Sequence, residues 1–128
     1  MAHSAIVAEG LDRLDLDLAQ PVIYDRPIGI RLLYRDRSSG AEHYVVRYPE
    51  GLTARWHRHT AAHTIVVLDG VLKVNGRHVG PRTYCHFPAG QAMHHAPADG
   101  HSCLFVVLFH GPFDVHPLDG PQAPNPDA

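Results

Sequence analysis

The sequence predicts an all-β fold, either a sandwich or a closed double-sheet barrel, on three observations. Eleven prolines and eleven glycines divide 128 residues into short segments, the punctuation that many short strands require. The segments between them are rich in β-branched and aromatic residues. Residues 28–116 offer no convincing helical pattern, and there is no internal repeat.

The elements follow in order. Residues 1–27 read as an N-terminal arm rich in Leu and Asp, with Leu11, Leu14 and Leu18 at helical spacing. Residues 28–35 form the first strand, and Arg37-Ser38-Ser39-Gly40 its turn. Residues 42–48 form the second, with Pro49-Glu50-Gly51 turning into a histidine-bearing strand. Residues 64–68 run to Asp69-Gly70, and residues 71–74 lead to Asn75-Gly76, a hairpin dipeptide that tolerates two positive φ angles. Residues 77–79 return to Gly80-Pro81. A short strand at 83–87 ends at the turn Pro88-Ala89-Gly90, and residues 103–109 form a buried strand. Residues 28–116 thus make one barrel-sized unit, and residues 117–128, with almost nothing apolar to bury, read as a flexible solvated tail.

Composition excludes several function classes. A formal charge of −2 with scattered arginines gives no basic footprint for nucleic acid. No apolar run approaches the roughly 20 residues of a membrane span, and the first residues lack a basic segment followed by an apolar signal core. The expected compartment is the cytoplasm. Cys85 and Cys103 make no disulfide framework and lack metal-type spacing, so each is expected to be a small buried hydrophobe.

The chemistry lies in Gly51-x5-His57-x-His59-x3-His63-x6-Gly70, three imidazoles within seven residues. On a strand, side chains at i and i+2 leave the same face, so His57 and His59 point together and Trp56 points away, to outer packing or an interface. On a helix the two would diverge. His59 and His63 alone suit a helical face, but no glutamate stands between them as in helical zinc-protease motifs. A straight chain would separate His57 and His63 by roughly 20 Å, at about 3.3 Å per residue. Sharing a metal therefore requires a bend at Thr60-Ala61-Ala62, where small residues permit one.

These residues resemble the first cupin motif, in which a glutamate more often stands at the place of His63. Pro88-Ala89-Gly90 followed by His94-His95 resembles the second. The resemblance implies a cupin double-stranded β-helix, the RmlC-like jelly-roll barrel, with a metal in its mouth. The all-histidine set resembles the four-histidine cupins and the iron cupins that cleave β-diketones or hydroxyacetophenones with dioxygen. Residues 109–116 resemble the closing strand of those enzymes. Small cupins commonly pair through sheet edges, so the resemblance also implies a homodimer, and the N-terminal arm is a candidate to cover such an edge.

The implied ligands are His57, His59, His63 and His95. His63 could instead stand behind a three-histidine site. For the fourth place, the cupin pattern falls on Met93. A one-residue slip turns a strand side chain to the opposite face and a two-residue slip restores it, so His95 is preferred to the alternative, His94. His86, His101, His110 and His116 have no motif spacing and are expected to be surface or hydrogen-bonded histidines. Tyr84 and His86 alternate and could line the pocket, though a core position is favoured. Neutral imidazoles suit one divalent transition metal among Fe, Mn, Zn, Ni and Cu. The expected function is oxidative carbon-carbon cleavage of a small β-dicarbonyl or phenolic ketone, with dioxygen as co-substrate. The alternatives are a non-catalytic metal-binding sensor and a metal-dependent isomerase or lyase.

Overall fold

The computed structural model describes residues 4–121. Among these the strands are β1 (Asp17–Ala19), β2 (Ile28–Arg35), β3 (Glu42–Tyr48), β4 (His57–Arg58), β5 (His63–Gly70), β6 (Leu72–Val74), β7 (Arg77–Val79), β8 (Tyr84–Phe87), β9 (His95–Pro97), β10 (Cys103–Phe109) and β11 (His116–Pro117). All pair antiparallel. Six form one sheet in the order β1-β2-β3-β10-β5-β8; β7-β6-β9 and β11-β4 form two small sheets. No helix among the described residues is long and apolar enough to cross a membrane.

Period-two alternation builds the core. His63, Ile65 and Val67 of β5 face inward beside Phe105, Val107 and Phe109 of β10 and Val46 and Tyr48 of β3. Leu72, Val79 and Met93 join the same cluster from the side of the small sheets. Burying one such large apolar side chain contributes roughly 1.5–3 kcal/mol. The motif's framing glycines both take positive φ, Gly51 at 83° and Gly70 at 77°. A Cβ on Gly70 would lie 2.0 Å from the Ser102 carbonyl oxygen, so only glycine fits there. Asn75 and Gly76 take φ of 47° and 88°, as their hairpin requires.

The N-terminal leucines do not form the helix their spacing suggested. Leu11–Arg13 make a single 3-10 turn, and Asp17–Ala19 pair with β2, Asp17 opposite Ile30. The run Leu14-Asp-Leu-Asp-Leu18 also alternates with period two, but Leu18 is 77% exposed, so backbone pairing to the open edge of β2 rather than burial of the leucines fixes this strand. The start of the expected tail is engaged as well: Pro117 pairs with His57, and Leu118 N–H donates to the Trp56 carbonyl at 2.8 Å. Residues 122–128 lie outside the described residues. Cys103 is buried, which pushes its thiol up to about 12, whereas Cys85 is only half-buried.

Candidate metal centre

The first histidine segment is fixed from three sides. His57 forms a two-way backbone bridge with Met93, at 3.0 and 2.8 Å, besides its pairing with Pro117. The His59 carbonyl accepts from Gly90 N–H at 2.8 Å, which ties the Pro88-Ala89-Gly90 turn to the histidine segment. The chain then bends at Thr60 and Ala61. There the Asp114 carboxylate accepts from Thr60 N–H at 2.8 Å and from Thr60 Oγ1. His63 opens β5 between Phe109 and Phe87, and His95 opens β9 opposite Val74.

All four histidines are buried, at 0, 4, 1 and 5% exposure for His57, His59, His63 and His95. His57, His59 and His95 each offer one ring nitrogen, and these lie within 4.8 Å of one another, an arrangement able to hold one metal ion. His63 adds no nitrogen to that cluster. Its ring centre is 4.8 Å from that of His59 and stacks on Phe87 at 4.7 Å.

Hydrogen bonds decide which nitrogens face one another. His57 Nδ1–H donates to the Arg55 carbonyl at 2.9 Å and His59 Nδ1–H to the Asp114 carbonyl. A carbonyl only accepts, so both rings carry their proton on Nδ1 and keep the Nε2 lone pair free. His95 Nδ1 meets the Tyr48 hydroxyl at 2.7 Å, again leaving Nε2 for the cluster.

Burial holds these rings neutral. It lowers His57 to about 4 and, with the neighbouring His59 and His57, His63 to about 3. Burial also lowers His59 and takes His95 well below its ordinary value. Neutral imidazole is the form that binds metal. His57 Nε2 and both nitrogens of His63 are buried with no hydrogen-bond partner among the described residues. Each such atom costs about 1–3 kcal/mol unless something fills the gap. A cation among these lone pairs fits both the donor chemistry and the missing partners.

The cluster meets a cavity of about 120 Å³. Its wall is apolar, including Ile23, Ile30, Val46, Val107 and Phe113, and its polar lining is three histidines, His59, His63 and His95, with Tyr24, Tyr44 and Tyr48. Among the described residues, no Lys, Arg, Asp or Glu lines it.

A profile of the ChrR cupin-like domain matches residues 21–114. The chain belongs to this cupin family. A comparison with curated proteins finds no match. Among solved structures, the cupin barrel is similar to a cupin-like protein of Thermotoga maritima (14% identity, TM-score 0.73, covering 85% of this chain and 89% of the other). It is similar to an acetylacetone dioxygenase from Acinetobacter johnsonii (16%, 0.73, 98% and 87%). It is also similar to the polyketide cyclase RemF from Streptomyces resistomycificus (19%, 0.69, 86% and 84%). At these identities the likeness concerns the cupin fold alone.

Of the residues expected at the site, this cupin brings His57, His59 and His95 together with His63 beside them. His94, the alternative to His95, lies on the opposite face: its Nε2 bonds the Ala54 carbonyl at 3.0 Å and its ring rests on Trp56. One residue of parity separates the two. Tyr84 and His86 are exposed, contrary to both the pocket and the favoured core reading, because Cys85 and Phe87 take the inward positions on β8. His110 and His86 bond Thr64, and His116 bonds Asp114 at 3.0 Å. Residues 109–116 are not one closing strand: Phe109 ends β10, residues 110–115 form a loop, and His116 opens β11. Tyr24, Tyr48, Phe113 and Asp114 escaped sequence reasoning. Their partners are remote in sequence, and no local spacing announces them.

Proposed function

We propose that this cupin is a metal-dependent oxidoreductase that cleaves a carbon-carbon bond of a small β-dicarbonyl or phenolic ketone with dioxygen. The observation that carries the reading is the set of neutral imidazole nitrogens gathered at an apolar, uncharged cavity. His57, His59 and His95 would hold the metal through Nε2. His63 is the proposed fourth ligand, since both its nitrogens are buried without partners beside His59. When bound, a divalent metal of the Fe, Mn, Zn, Ni or Cu group supplies Lewis acidity, and iron also supplies reactivity toward dioxygen.

The remaining roles belong to the chain. The apolar wall favours a substrate that is uncharged away from its metal-facing oxygens, because among the described residues no charged side chain lines the cavity to compensate a lost hydration shell. Among the described residues no carboxylate lines the cavity as a base, and His63, at about 3, is a poor proton acceptor. A substrate whose own C–H is acidic suits that lining. Phe113 packs on Phe109 and His59 at the rim and shields the cluster from water.

Oxygen uptake by iron-loaded protein supplied with acetylacetone tests the reading, and steady consumption with cleaved product is expected. Tight metal binding with no turnover in either gas phase would overturn it in favour of a metal-binding sensor. Anaerobic turnover would move the reaction to an isomerase or lyase.

A further inference from the structure

His95 differs from His57 and His59 in what holds its Nδ1. Their partners are carbonyls, which fix the proton position. The partner of His95 is the Tyr48 hydroxyl, which can donate or accept, and Tyr48 is bonded in turn to the Tyr24 hydroxyl. Tyr48 is fully buried, and Tyr24 lines the cavity with no protein partner for its hydroxyl but Tyr48 among the described residues. Burial pushes both phenols up, so each keeps its proton.

His95, Tyr48 and Tyr24 therefore hold three protons and share two hydrogen bonds. One proton is always left over, and it lies at an end of the chain unless Tyr48 accepts from both sides. In one polarity Tyr24 donates to Tyr48, Tyr48 donates to His95 Nδ1, and the surplus proton sits on His95 Nε2, facing the lone pairs of His57 and His59. In the other, His95 Nδ1–H donates to Tyr48, Tyr48 donates to Tyr24, and the surplus proton is that of the Tyr24 hydroxyl. An arrangement with Tyr48 accepting from both sides would strand its own proton in the core, at a cost.

We propose that Tyr24 is the cavity's hydrogen-bond donor to the carbonyl oxygen of a neutral ligand, and that Tyr48 is a positioning residue through which His95 frees the Tyr24 proton. The inference rests on the metal reading above. When His95 commits its Nε2 lone pair to a cation, its proton must lie on Nδ1, and only the second polarity remains. The proton count is unchanged; the donor simply appears on the cavity side. Metal occupancy and ligand capture thereby become coupled through two phenols, with no movement of backbone.

Nitrogen-15 NMR of the labelled full chain, metal-free and zinc-loaded, reads the tautomers directly. His57 and His59 are expected as Nδ1–H in both states, and His95 as Nε2–H without zinc and Nδ1–H with it. If zinc binds and His95 is already Nδ1–H without it, the switch is overturned while the metal site stands. If zinc does not bind, the metal reading and the switch fall together. Cyclohexanone, a ketone with no second oxygen for chelation, and methylcyclohexane serve as cavity probes. Zinc-loaded Tyr24→Phe should bind cyclohexanone about tenfold more weakly, with methylcyclohexane binding retained as evidence that the cavity persists. Equal cyclohexanone binding by the variant and the parent protein removes Tyr24 as the donor. Loss of both probes would show that Tyr24 shapes the cavity instead, and would overturn the donor role as well.

Discussion

Strand β5 carries histidines against both of its faces, and the two groups have opposite fates. On the outer face Thr64 Oγ1 lies between His86 Nδ1 at 3.0 Å and His110 Nε2 at 2.9 Å, and both rings are exposed. On the inner face, one residue away, His63 is buried with neither nitrogen partnered, beside three further buried rings. Clustering alone therefore does not make a ligand set. Burial strips the inner group of water and leaves its lone pairs facing one another, whereas the outer group is satisfied by a hydroxyl and solvent.

Four experiments would break or sharpen that contrast. The largest effect is expected for His57→Ala, which should lower zinc affinity at least about a hundredfold by calorimetry, while His110→Ala leaves it unchanged. Equal effects from the two would erase the distinction.

Acid comes next. The buried rings have folded-state values below the ordinary 6.5, about 4 for His57 and about 3 for His63. Between those values and 6.5 the unfolded chain binds more protons, so the metal-free protein should lose stability as pH falls from about 6.5 toward 3. His57 alone contributes on the order of 3 kcal/mol of that loss by pH 4. Urea midpoints at several pH values would measure it, and a flat profile across this window would contradict the buried neutral cluster.

His63→Leu should separate function from stability. Removing two unpartnered nitrogens from the core should stabilise metal-free protein by about 1–2 kcal/mol. Zinc affinity should fall about tenfold if His63 is a ligand; unchanged affinity would leave a three-histidine site. The smallest effect belongs to the outer face, where Thr64→Val should cost less than about 1 kcal/mol in thermal unfolding and not alter metal binding.

Much of this arrangement was legible in the sequence because it depends on local periodicity. The same-face placement of His57 and His59, the bend at Thr60, the Asn75-Gly76 hairpin and the inward parity of His95 all follow from alternation or turn chemistry. Leu11, Leu14 and Leu18 were misread because a helical and an alternating pattern coexist there, and the free edge of β2 decides between them. The partners of the imidazoles were hidden for another reason. Tyr48 reaches His95 and Asp114 reaches Thr60 only after the barrel closes, and neither pairing leaves a trace in local spacing. Burial depth was equally invisible, and it is burial that separates His63 from His86.

The pairing of Pro117 with His57 sets the earliest point in synthesis at which this centre can exist. Until the ribosome has released the segment through Leu118, β4 lacks its outer strand and the Asp114 carbonyl that orients His59 is absent. A nascent chain would expose its histidines long before it could arrange them, and the buried cluster would be complete only once the last described strand had docked.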